Sequence, residues 1–203
     1  MGLTSIVALY RLGFGLLTVA AIVVQMVSLS QAGTLDALHY LTFFTILSNT
    51  IATVLFLVGA ARWRSPRSAT LDLLRGGAVV YMSLTGAVFA VLLSGTNVDT
   101  AIPWVNSVVH EVMPIVVVAD WLIDPPATRL TLRQGALWLT FPVVWSVYEQ
   151  IQGAIRGKYH YPFTNPANGG YGSVVLYSLV MLAFVLVMCG VVVWLGNLRR
   201  SKG

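Results

Sequence analysis

Three residues far apart in the chain could share one reaction: Thr42, His110 and Glu149. An imidazole can take a proton from a hydroxyl as that hydroxyl attacks a carbonyl carbon, and can then return it to the leaving group. Threonine is a weak nucleophile unaided, so the reaction requires Thr42 and His110 to touch. Glu149 could orient the imidazole, act as the acid of a proton relay, or, held neutral by burial, serve only as a hydrogen-bonding group. All three lie in apolar stretches, and ionisable groups inside a membrane helix are costly enough to ask for a functional explanation. Pro114 adds to this: it has no N–H, so the carbonyl of His110 loses its helical partner.

The elements that must position these residues follow from composition. Of 203 residues, 57% are hydrophobic and 9% charged, where a soluble domain carries about 25% charged residues. Apolar runs of spanning length recur, so the reading is an all-α polytopic membrane protein, one domain over 1–203, with a six-helix bundle. The spans fall at about 3–29, 37–60, 74–93, 103–123, 131–155 and 172–195. With six spans, both termini share a side with the loops after spans 2 and 4. Those segments hold Arg62, Arg64, Arg67, Arg75, Arg129, Arg133, Arg199, Arg200 and Lys202, leaving only Arg156 and Lys158 opposite. The positive-inside rule then places both termini in the cytoplasm of a multi-pass plasma-membrane protein. Because topology accounts for the basic residues, the net charge of +5 does not point to nucleic acid. The single cysteine, Cys189, reads as a buried small hydrophobe. The first residues read as a first span and not a cleaved signal peptide.

Depth groups the polar residues. Spans 2 and 4 enter from the outer side and span 5 leaves there, so Thr42, His110 and Glu149 are expected in one outer layer. Thr45 and Asn49 share a helical face with Thr42, and the plain reading of that face is a polar seam to neighbouring helices. Trp145 lies deep enough to line a cavity. The stretch from Tyr159 to Tyr171, rich in aromatics, proline and asparagine, reads as a lid over the pocket. Asn49, Tyr161 and Asn165 are candidate donors to an oxyanion. Glu111 points away from His110 and is expected to pair with Arg156 or Lys158. Arg11 and Asp120 fall at similar depth near the inner side and are expected to form a structural ion pair.

Three segments then resemble a known family: Tyr40-Leu-Thr42-Phe, His110 with Pro114 four residues on, and Tyr161-Pro162-Phe163. Their order, spacing and topology are similar to the androgen-induced membrane protein family, which includes the androgen-dependent regulator of tissue factor pathway inhibitor, in its bacterial branch. The resemblance implies an intramembrane threonine hydrolase that cleaves esters joining a fatty acid to a hydroxy fatty acid. Carried over by motif, its nucleophile is Thr42 and its histidine His110. The chain departs from the animal pattern at Thr45, where an acidic residue is expected, and at Tyr148-Glu149-Gln150, in place of a histidine-rich stretch.

The leading expectation is therefore a lipid ester hydrolase without cofactor or metal. Its substrate is a lipophilic, fatty-acyl ester from the membrane, and a homo-oligomer is left open. The main rival is a non-enzymatic lipid or small-molecule binding or transport protein using the same cavity. A second rival, metal or haem binding through His39, His110 and His160, lacks paired histidines at a fixed spacing.

Overall fold

A computed structural model describes residues 3–66, 68–94 and 102–200. Arg67, Lys202 and most of the polar turn expected at 94–102 lie outside the described residues. Every regular element described is helical: α1 Leu3–Gln31, α2 Ala37–Leu41, α3 Phe44–Ala61, α4 Ala69–Val88, α5 Pro103–Ser107, α6 Met113–Ile123, α7 Leu132–Ala136, α8 Thr140–Arg156 and α9 Gly170–Arg200. Wide π turns extend α4 over Phe89–Leu93 and join α5 to α6 over Val108–Val112. Five helical segments are long and apolar enough to cross a membrane: Thr4–Gln31, Phe44–Ala61, Ala69–Leu93, Pro103–Ile123 and Gly170–Leu198.

The stretch expected as the fifth span is not among those five. It divides into α7, a 3-10 turn at Leu137–Leu139, and the 17-residue α8. Pro142 explains the break, since it leaves the carbonyl of Trp138 without its helical donor. The second expected span also differs at its start, where the helix is interrupted at Thr42 and Phe43.

Helix α4 is the hub, packed against α3, α6, α7 and α9. Small residues set the spacing. The position of a Cβ on Gly76 would lie 2.3 Å from the Trp138 ring, and the indole N–H of Trp138 donates to the carbonyl of Leu73 at 2.8 Å. Helix α1 runs antiparallel to α3, with Gly15 against Leu57 and Gly59 against the stem of Arg11. On the opposite faces of α1 and α9, Leu9, Leu16, Val23, Leu179 and Val187 are exposed. Such continuous apolar faces suit a hydrocarbon surround.

At one end of the bundle, charge is buried as a network. Arg11 Nε meets Asp120 Oδ1 at 2.7 Å, and its Nη2 meets Asp124 at 2.7 Å. Arg75 of α4 reaches Asp120 at 2.7 Å and Asp72 at 3.0 Å. Asp72 also accepts from the backbone N–H of Ala127 at 2.7 Å. Arg11 and Asp120 thus meet as expected from their depth. Arg75, counted from sequence only among the inner-side charges, is the second cation of the network. Buried charges in an apolar bundle need this degree of pairing.

Candidate functional site

At the other end, the interruption between α2 and α3 frees backbone groups that other segments satisfy. Asp36 caps α2, accepting from the N–H of His39 at 3.1 Å. Thr42 closes it, its N–H donating to the carbonyls of Leu38 and His39. The indole N–H of Trp145 donates to the carbonyl of Thr42 at 2.8 Å. The N–H of Thr45 donates to the Tyr161 hydroxyl at 3.2 Å. Neither partner belongs to α2 or α3. The break is held by α8 and by the segment that follows it, which accounts for its backbone polar groups.

That segment folds back over the bundle end. Gly157, at φ +65, ends α8, and its N–H donates to the carbonyl of Gly153 at 2.9 Å. Gly153 has no side chain, and the Tyr159 ring occupies the space: a Cβ there would lie 2.3 Å from it. Glu149 then organises the return. Its Oε1 accepts from the N–H of His160 at 2.7 Å and the hydroxyl of Thr164 at 2.6 Å. Its Oε2 accepts from the Gln152 amide at 2.9 Å and is joined to His160 Nδ1. Glu149 is fully buried, and four donors at its two oxygens meet a carboxylate's demand. Burial pushes the Tyr161 hydroxyl up to about 12, so it stays neutral beside Thr45.

The other nitrogen of His160, Nε2, lies 3.1 Å from the Thr42 hydroxyl and 3.0 Å from the carbonyl of His39. The Tyr148 hydroxyl donates to Thr42 Oγ1 at 3.1 Å, and Thr42 in turn donates to the carbonyl of Leu38 at 2.7 Å. The His39 ring stacks on His160, with centroids 4.2 Å apart and planes 13° apart. Phe43 meets the same imidazole edge-on. The product is a row of hydroxyl, imidazole and carboxylate drawn from three segments, with the imidazole stacked on one face, met by Phe43 at its side and contacted at both nitrogens. A row of this kind can move a proton from the hydroxyl to the imidazole while the carboxylate holds the ring.

The pairing expected from sequence, Thr42 with His110, is not formed. His110 lies in the π turn, donates through Nδ1 to the carbonyl of Asn106 at 3.2 Å, and stacks on Phe89 at 4.5 Å. The reason is depth. Asn49 Nδ2 donates to the carbonyl of Val109 at 2.9 Å, so His110 is level with Asn49, seven residues along from Thr42. At 1.5 Å per residue that is about 10 Å too deep. Asn49 also donates to the carbonyl of Thr45 at 2.9 Å, so both its amide hydrogens tie backbone and neither serves an oxyanion. Asn165 caps the turn at Pro166–Asn168. Tyr161 supports the backbone at Thr45. Arg156 pairs with Asp36 at 2.5 Å, not with Glu111, which is exposed.

The sequence names His160 only as a candidate metal ligand and Tyr148 only as a departure from the family pattern, and it gives no sign of Gln152. His160 was visible as part of an aromatic segment too rich for a plain connector, but its partner could not be read from spacing. Among the described residues no cluster of three or more histidine, cysteine or carboxylate side chains could hold a metal.

Beside this site is a cavity of about 220 Å³, between α8 and α9, with α3 and α4 as its floor and the Tyr161–Thr164 turn as its roof. Thr45, Trp145, Glu149 and Tyr161 line it; Thr42 and His160 do not. No protein-family model, curated protein or solved structure matches the chain.

Proposed function

We propose that this chain is a multi-pass plasma-membrane protein that hydrolyses a lipophilic ester, with Thr42 as nucleophile, His160 as general base and Glu149 as the group that orients it. One observation carries this reading: Thr42 Oγ1 stands 3.1 Å from His160 Nε2 while Nδ1 of the same ring is held by the Glu149 carboxylate. In the reaction His160 carries its proton on Nδ1, toward Glu149, and Nε2 turns from the His39 carbonyl to the Thr42 hydroxyl; the hydroxyl hydrogen leaves the Leu38 carbonyl for Nε2 as the oxygen bonds to the ester carbon. The Tyr148 hydroxyl is a donor within reach of the charge that develops. The tetrahedral species collapses, the leaving alcohol takes the proton from Nε2, and water repeats the sequence in reverse to free the acid.

The resemblance to the androgen-induced family favours an ester of a hydroxy fatty acid as substrate, with the base moved from His110 to His160. In the membrane, α7 and α8 together make a sixth crossing beside the five long helices. The loop charges then place both termini in the cytoplasm. The Thr42 end faces outward in this arrangement. A non-enzymatic binding protein is the second reading, favoured by the absence of Thr42 from the cavity lining.

The test is hydrolysis of the palmitate ester of hydroxystearic acid by purified protein, comparing wild type with T42A, H160A and H110F. Cleavage is expected from wild type and H110F and lost in T42A and H160A. Absence of cleavage by wild type, or T42A as fast as wild type, would falsify the hydrolase reading.

A further inference from the structure

The cavity between α8 and α9 is built for one kind of occupant. Its lining holds no lysine, arginine or histidine, and its only carboxylate, Glu149, already accepts four hydrogen bonds. An anionic group would find no counter-charge there and a cation no carboxylate left free to pair with it, so the buried part of a ligand must be neutral. Most of the wall is apolar, with Leu84, Val88, Phe163 and Met181 among the contacts. Among its polar lining residues, two hold an atom without a partner. The Thr85 hydroxyl and the Gln150 carbonyl oxygen are buried and have no hydrogen-bond partner, and the Thr85 residue is only 4% exposed. Buried polar atoms are normally satisfied, so each marks a place where a ligand group would be held. Gln150 Oε1 only accepts, while a threonine hydroxyl donates and accepts. A ligand hydroxyl can bond to either.

Register places these atoms. Gly77 packs on Trp138 and Tyr81 on Phe141, so Thr85 stands level with Trp145, midway along the cavity, and Gln150 about a turn further toward the roof. The rim residues Val143, Val147 and Leu182 are partly exposed, so the cavity opens sideways, toward lipid if the helices span. At about 30 Å³ per water-sized group, the space takes roughly seven such groups, less than a whole lipid tail, and the remainder must extend through the side opening.

We propose that the cavity is a binding site for a single-chain lipid whose buried end is uncharged and carries a hydroxyl, bonded at Thr85 or Gln150. The proposal rests on the cavity alone and holds whether or not Thr42 attacks an ester.

The experiment uses full-length protein in phosphatidylcholine nanodiscs with a diazirine-bearing long-chain alcohol as the probe. After irradiation, peptides from α8 and α9 that line the cavity should carry the label, and excess dodecan-1-ol should remove it. T85V keeps the shape without the hydroxyl and should weaken competition several-fold. M181W, at the mouth, should abolish labelling in protein that still runs as a single species. T42A should label like wild type, which separates this site from the ester chemistry. Label spread over the lipid-facing sides of α1 and α9 without competition would overturn the proposal. So would undiminished labelling of M181W, or competition by dodecanoate anion equal to that by the alcohol.

Discussion

The two ends of this bundle bury charge in different chemical forms. At one end Arg11 and Arg75 bracket Asp120. A guanidinium does not deprotonate in proteins, so that network can hold α1, α4 and α6 together but cannot carry a proton. At the other end the carboxylate of Glu149 meets an imidazole, a group that can both accept and donate a proton, and beyond the imidazole is a hydroxyl. Burial and carboxylate are common to both ends. The carboxylate's partner, guanidinium or imidazole, separates a brace from a proton-handling site.

The largest effect that would break this contrast is on turnover. Glu149→Gln keeps the shape but replaces the acceptor that fixes His160, and ester hydrolysis should fall by about 10² to 10⁴-fold. If Asp120→Asn slowed hydrolysis per folded molecule as much, the division between the two ends would be lost. Next is stability. Asp120→Ala strands two guanidinium groups and should destabilise by roughly 3–5 kcal/mol, read as a lower unfolding temperature in detergent. A smaller loss, about 1–3 kcal/mol, is expected for Gly153→Ala, whose new methyl enters the Tyr159 ring. Faster tryptic cleavage at Lys158 would report the loosened segment, and unchanged cleavage would deny that Gly153 seats it.

The smallest effect concerns pH. The backbone N–H of His39, and then Arg156, hold the Asp36 carboxyl below its usual range. Its contribution is present above the unfolded value of about 4 and is lost as pH falls through the lower folded value. Acid unfolding of Asp36→Asn should therefore be less steep than wild type in that window. High salt should narrow the difference, because an exposed pair is weak and screened.

The comparison of ends also explains what could be read in advance. Arg11 and Asp120 could be paired from sequence because both lie inside long helices, where depth follows from residue count. The same arithmetic misled at Thr42. Its helix breaks at Thr42 and Phe43, with no proline or glycine to mark the place, and the partner that satisfies the break comes from a folded-back segment of no fixed depth. His110 looked the better candidate because it sits in a span, where depth can be counted. His160 sits where it cannot.

Composition and hydropathic runs alone determined that this chain folds as apolar helices, because a run of about 20 apolar residues has few other ways to satisfy its backbone in lipid. They also determined that ionisable groups inside those runs had to be paired. Only the tertiary structure decided which imidazole meets Thr42. That choice depends on Glu149 collecting donors from a returning segment, and on Trp145 and Tyr161 completing the backbone at the break. The contacts of Thr42 with His160 and of the break with Trp145 and Tyr161 join residues more than a hundred positions apart, and no local periodicity encodes them.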